Sequence, residues 1–222
     1  MLCGEAVVAI WNGITPEGRG EFYAWHLTEH MPERVGIPGF RRGRRYIAVD
    51  AGTHPEFFTL YEADTMQVLQ GSGYNDRLNA PTPWTKSATA HFRATARSLA
   101  RVLASEGPGM GGMMLTLRFD ADAGAMPTLI DAVRAAARGP RITGAHLCTD
   151  NVAASGVPTA ESKARTDIEA PPNWFVLVEA TDAAALRDVL ADAVLHAAGA
   201  RGTVLRGCYR LEHVRTKTAF GP

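Results

Sequence analysis

Residues 25–34 read WHLTEHMPER and set two imidazoles, His26 and His30, one helical turn and about 40° apart. That spacing admits three chemistries. Two rings on one helix face can share a metal ion. A half-buried imidazole, whose ordinary pKa lies near neutrality, can take a proton from a C–H or O–H acid. Both rings can also simply coat a helix surface. The order H-x-x-E-H matches the inverted zinc-protease motif, but that motif needs a third protein ligand and a large cleft, and the chain offers neither. No metal is expected at these residues.

Helical phase orders the candidates. Ala24, Leu27, Met31 and Val35 share the face expected to pack on a sheet. Tyr23, His30 and Arg34 border it, His26 is expected further out and more exposed beside Glu33, and Trp25 and Glu29 flank the other border. Pro32 lacks an N–H and crowds the preceding turn, so the helix is expected to kink or end just after His30. An imidazole there either does acid/base work or caps freed backbone groups. Downstream, FRRGRRYIAV alternates: Arg41 and Arg45 face one side, Arg42, Arg44 and Tyr46 the other. One arginine pair of this strand can clamp a carboxylate or stabilise an enolate oxygen, unless this is an edge strand wearing solvated charge. Asn12 ends the first strand, and Trp84 and His91 come from an irregular helical region.

Positioning these groups falls to a repeated order of elements. Period-two stretches mark strands at about 5–12, 40–49, 56–62 and 92–103, then at 112–119, 142–149, 174–180 and 203–215. Helical patterns fill 17–35 and 63–72, the latter continuing irregularly toward 90, and then 126–138 and 183–198. PEFFTLYEA at 55–63 matches PNWFVLVEA at 172–180 in proline, aromatic, Phe, Leu, Glu and Ala, each time just before a helix. EGPGMGG at 106–112 carries linker chemistry between the copies. The expected fold is α+β: two tandem ferredoxin-like βαββαβ units, 1–105 and 106–222, packed sheet to sheet as a pseudo-symmetric α/β barrel. Residues 151–171 are expected to be a long, disordered or lid-like loop.

Composition bounds the rest. The 222 residues carry 23 Lys+Arg and 23 Asp+Glu, which favours neither nucleic acid nor an anionic membrane surface. No signal-like start and no apolar run of membrane-spanning length is present, so a cytoplasmic location is expected. Cys3, Cys148 and Cys208 lack disulfide or zinc-ligand spacing and read as idle thiols.

His30-Met31-Pro32, followed by Ile37-Pro38-Gly39-Phe40, the Arg/Tyr strand, Arg77 to Thr85 and His91-Phe92, resembles the EthD-like branch of the dimeric α/β-barrel superfamily over residues 5–103. The second half joins the resemblance only as fold and repeat, for its helix MPTLIDAVRAAARGP has no His-x-Pro. The resemblance implies a pocket between sheet and helices for a flat apolar or aromatic ligand, with cofactor-independent oxygenases, lactone isomerases, polyketide cyclases and heme proteins among the relatives. The resulting expectation is a small-molecule pocket protein in the first half, monomer or homodimer. It would be a cofactor-independent enzyme acting on an aromatic or polyketide-like metabolite, with His30 as acid/base, His26 beside it, and Asn12, Arg34, Arg45, Tyr46, Trp84 and His91 lining the site. The alternative is a non-catalytic ligand carrier or a heme protein. Asn12, Trp84 and His91 are similar in type to the trio of heme-degrading monooxygenases, and His91 or His30 can serve as a proximal ligand.

Overall fold

The computed structural model describes residues 1–163 and 167–218. Its framework is eight antiparallel strands, each where the alternation puts one. The first half supplies β1 (Ala6–Ile14), β2 (Phe40–Ala48), β3 (Phe57–Ala63) and β4 (Phe92–Glu106); the second supplies β5 (Met113–Ala121), β6 (Ile142–Asp150), β7 (Trp174–Ala180) and β8 (Ala200–Thr216). They close into one barrel in the order β1-β3-β2-β8-β5-β7-β6-β4, so each half lays down its four strands as neighbours in the same relative order.

A barrel made of two sheets packed face to face was expected; the barrel is there, but it is one continuous sheet. The halves also join edge to edge through β2–β8 and β4–β6 ladders. Strand length is the reason: β4 and β8 run 15 and 17 residues, enough to outgrow their own half and pair across the boundary. Closure removes the exposed edges that separate sheets would carry.

Inward positions form an aromatic core that includes Trp11, Tyr46, Phe58, Phe175 and Tyr209. Outward apolar positions are covered by helices. On the first half these are α1 (Arg19–Trp25), a π-turn (His26–His30), α2 (Met31–Gly36), α3 (Met66–Gln70), α4 (Ser72–Asn79) and α5 (Pro83–Ala90). Extended Gly71 and the Thr82 cap before Pro83 divide what the pattern suggested was one irregular helix. On the second half α6 (Met126–Ala136) is regular. The helix expected over 183–198 is instead a 3-10 turn at Ala183–Leu186 and a short helix at Asp192–Ala197, separated by Leu190, whose φ of +48° no α-helix accommodates.

The connection from β6 to β7 is more ordered than its composition suggested. It forms α7 (Val152–Ser155) and α8 (Ala160–Lys163) and hydrogen-bonds to β4; residues 164–166 of it lie outside the described residues. Among the described residues no helix is long and apolar enough to cross a membrane, and the three cysteines are free thiols.

The matched repeat segments become β3 and β7, both buried along their whole length. Their glutamates, Glu62 and Glu179, point into the barrel and converge on Arg44 of β2. Arg44 Nη1 donates to Glu179 Oε2 at 2.8 Å, and Nη2 lies 3.0 Å from Glu62 Oε1 as a charge contact off the hydrogen-bond direction. Arg42 forks onto both oxygens of Glu62 at 2.8 Å, and His146 lies 3.2 Å from Glu179. All these groups but Arg42 are fully buried, so the edge-strand reading of this arginine run fails for Arg44. In a closed barrel β2 has no solvent edge.

Candidate functional site

The helix over residues 19–36 contains one turn that is one residue too wide. Met31 N–H bonds to His26 O, five residues back. Pro32 supplies the local reason: it has no N–H for the Thr28 carbonyl and its ring crowds that turn. The chain widens before Pro32 and continues through α2 instead of ending after His30.

This insertion rotates the phase. Leu27, expected inside, is 46% exposed, while His26 and His30 are 3% and 5% exposed. The expectation that His26 would be the more exposed ring is therefore corrected. Buried π-turns frequently mark functional sites, because the helix uses the extra residue to aim side chains that a regular helix would not.

Both rings face the outward side of β2 and β3. His26 Nδ1 lies 3.3 Å from Arg45 Nη1, and Nε2 lies 3.4 Å from the Tyr61 hydroxyl. Arginine can only donate, so Nδ1 accepts and the ring proton sits on Nε2, toward Tyr61. Burial, followed by the charges of His30, Arg45 and His213, holds the His26 pKa well below its ordinary value, so the ring is neutral. Burial likewise pushes the Tyr61 phenol up. The His30 ring packs 4.3 Å from Trp25, 5.7 Å from His26 and 6.2 Å from Tyr61, centroid to centroid. Trp25 is fixed in turn by an Nε1–H bond of 3.1 Å to Thr85, and Thr82 and Thr85 donate to Glu29. Arg45 spans the far side: it lies 4.7 Å from the Tyr23 centroid and donates from Nε to Glu212 at 3.2 Å.

Arg34 belongs to the same shell. It is buried over the Tyr74 ring and donates at 2.6 Å to both Glu33 and Glu161, the latter reaching over from α8. Glu33 therefore does not orient His26, as its place on the helix suggested; it holds Arg34 and approaches Arg77.

The remaining sequence candidates separate. Tyr46 points into the barrel, on the opposite face of β2 from Arg45. Trp84 is exposed on α5, and it is its neighbour Thr85 that reaches the site. Asn12 is buried on β1 opposite Phe57 and donates to Gly13 O, and His91 is bonded through Nδ1 to Thr15 at 2.8 Å. No hydrogen bond or ring contact joins Asn12, Trp84 and His91 among the described residues, so the trio does not assemble. Tyr61, Trp25, Glu161 and Glu212 were missed. Tyr61 was within reach of the alternation rule, since it shares its face of β3 with Phe57 and Thr59. Glu161 was not, being 127 residues from its partner.

Burying neutral His26 and His146 has a consequence for pH. Both rings have folded pKa values below 6.5, with burial the leading cause in each. The unfolded chain therefore binds more protons below pH 6.5, and stability is present above that value and lost as pH falls through it. Glu62 and Glu179 are lowered from 4.5, Glu179 to about 2, where their cationic and hydrogen-bonding partners outweigh burial; their contribution is present above about pH 4.5 and lost toward pH 2. Thermal unfolding midpoints measured from pH 8 to 3 should fall from about pH 6.5 downward and more steeply below about 4.5. A midpoint that stays level from pH 8 to 5 would contradict the neutral, buried assignment of the two histidines.

Among the described residues no group of three His, Cys, Asp or Glu side chains is placed to hold a metal ion. No family model matches the sequence, and no curated protein does. Solved structures match in fold. An anthrone oxidase-like protein has 12% identity and a TM-score of 0.64, over 95% of this chain and 92% of that one. A protein proposed as a monooxygenase from Lactobacillus acidophilus NCFM has 10% identity and a TM-score of 0.58, over 96% of each chain. One proposed as a chlorite dismutase has 9% identity and a TM-score of 0.53, over 95% and 96%. At these identities the likeness is one of architecture alone.

Proposed function

We propose that this chain is an EthD-like, cofactor-independent enzyme acting on an aromatic or polyketide-like metabolite, with His30 as acid/base. The observation that supports it is the π-turn, which buries two imidazoles, Tyr61 and Arg45 between helix and sheet within a frame of aromatic rings. His26 and Tyr61, both perturbed by burial, mark the kind of place where enzymes do proton chemistry. His26, its lone pair committed to Arg45, is a positioning residue in this reading; His30 is the group that exchanges a proton, and Arg45 with Tyr61 steadies charge developing on a substrate oxygen. Residues 1–105 and 106–222 are read as two copies of one unit, the first bearing the site and the second its built-in partner.

A second reading, a carrier in which nothing reacts, is favoured by the engagement of both His26 nitrogens. Heme fits His26 and His91 poorly. His26 Nδ1 has its lone pair committed to Arg45, and His91 Nε2 faces Glu21 at 4.0 Å with Gly18 pressed on the ring. Native mass spectrometry of freshly purified, tag-free protein, with elemental analysis and an absorbance scan, tests all of this together. A bound aromatic mass is expected, with no stoichiometric zinc and no band near 400 nm. Stoichiometric zinc lost in His26→Ala/His30→Ala, or a heme band, would overturn the cofactor-free reading.

A further inference from the structure

The connection between β6 and β7 is sewn to β4 on either side of Arg97 and not at it. On one side Leu99 N–H donates to Ser155 Oγ at 2.8 Å and Leu99 O accepts from Asn151 N–H at 2.8 Å. On the other, Thr95 N–H donates to Asp167 O at 3.0 Å and Thr95 O accepts from Glu169 N–H at 2.8 Å. Residues two apart in a strand present their backbone groups to the same edge, so the seam parts at Arg97.

Two clefts meet at this gap. One, of about 260 Å³, runs between Leu69, Leu78, Leu99 and Ala154; the other, of about 350 Å³, runs between Thr95, Pro158, Ile168 and Pro171. Arg97 and Val157 border both. The larger lies at the lower end of the range for small-ligand pockets, ~300–1,000 Å³, and the smaller just below it. The walls are largely apolar and the guanidinium is the cation that both clefts share.

Arg97 is half-buried and donates to the Tyr74 hydroxyl at 3.2 Å, with its guanidinium 5.8 Å from that ring. No carboxylate comes within ion-pair distance of it among the described residues. Asp150, the acid it influences, is held by Ser98 and Ser155 at 2.5 Å each, and Glu169 stands exposed at the outer rim. Arg34, also 5.8 Å from the Tyr74 ring, already has two carboxylates. A cation without a counter-ion between apolar walls selects for one ligand class.

We propose that this cleft is a binding site for an amphipathic organic acid, an aromatic or short-chain carboxylate whose anion is received by Arg97 and whose apolar body lies under Val157 and Pro158. The site stands whether or not His30 reacts, for it uses none of the histidine cluster.

Calorimetric titration with 2-naphthoate and its neutral counterpart 2-naphthamide tests it. The carboxylate should bind wild-type protein about tenfold or more tightly than the amide, since hydrogen bonds to charged groups exceed neutral ones by that order. Arg97→Gln should erase the difference and leave amide binding in place. Val157→Trp, at a position 54% exposed and so tolerant of bulk, should block both clefts and weaken both ligands. Equal affinity for acid and amide, undiminished naphthoate binding in either variant, or no naphthoate binding to wild-type protein would each overturn the site. If Arg97→Gln fails to fold, Val157→Trp decides alone.

Discussion

Arg44→Met is expected to destabilise the fold by about 3–5 kcal/mol, the range for removing one partner from a buried ion pair. Arg44 is fully buried, as are Glu62 and Glu179, and it draws the two glutamates, one from each half of the chain, to a single guanidinium. Methionine preserves much of the volume, so packing changes little and the loss is electrostatic. Glu62 would retain Arg42, and Glu179 would retain His146 and the Gly111 N–H. Two carboxylates would nonetheless lose the charge between them. For a chain of this length 1 kcal/mol moves the midpoint by roughly 2–4 °C, so a fall of about 6–20 °C is expected in thermal unfolding. Replacing all three charges, as Arg44→Met/Glu62→Gln/Glu179→Gln, should recover part of that fall, because neither buried carboxylate then stays charged; Arg42 loses Glu62, which keeps the recovery partial. A single variant within 1 kcal/mol of wild type, or a triple variant worse than the single one by the sum of its parts, would show the cluster to be no network.

That cluster also marks where reading the chain succeeds and where it stops. Alternation located eight strands, because the side-chain period of a strand survives any partner it acquires. The PEFFTLYEA and PNWFVLVEA match pointed to Glu62 and Glu179 as equivalent positions. Their shared partner was hidden by the assumption of an edge: four arginines in five residues look like solvated charge until barrel closure leaves β2 no edge to expose. The π-turn was hidden for a different reason. Helical phase is inferred by adding 100° per residue, and one extra residue at His26–His30 puts the two sides of the turn out of step: Met31 and Val35 lie inside as expected, while Ala24 and Leu27 lie outside. Leu27 and His26 exchanged sides on that account alone. Glu161 and Arg34 illustrate a third limit, since nothing local to either residue announces a partner half a chain away.

His30→Gln is expected to leave the fold intact and to lower turnover by about 10²–10⁴-fold, the usual contribution of one positioned acid or base. Glutamine keeps a planar, polar side chain against Trp25 and can still donate and accept hydrogen bonds, but it cannot exchange a proton near neutral pH. The fall should therefore appear in kcat more than in KM, with unfolding midpoints unchanged, assayed on the aromatic compound recovered by native mass spectrometry. His26→Gln makes the contrast. With its lone pair committed to Arg45 and its N–H to Tyr61, His26 arranges the site without exchanging a proton, so its loss should raise KM and disturb stability more than it lowers kcat. Collapse of the fold in His30→Gln would assign that ring to packing under the π-turn. Undiminished turnover would remove it from the mechanism and leave the carrier reading, in which the same buried cluster only shapes the wall of a binding site.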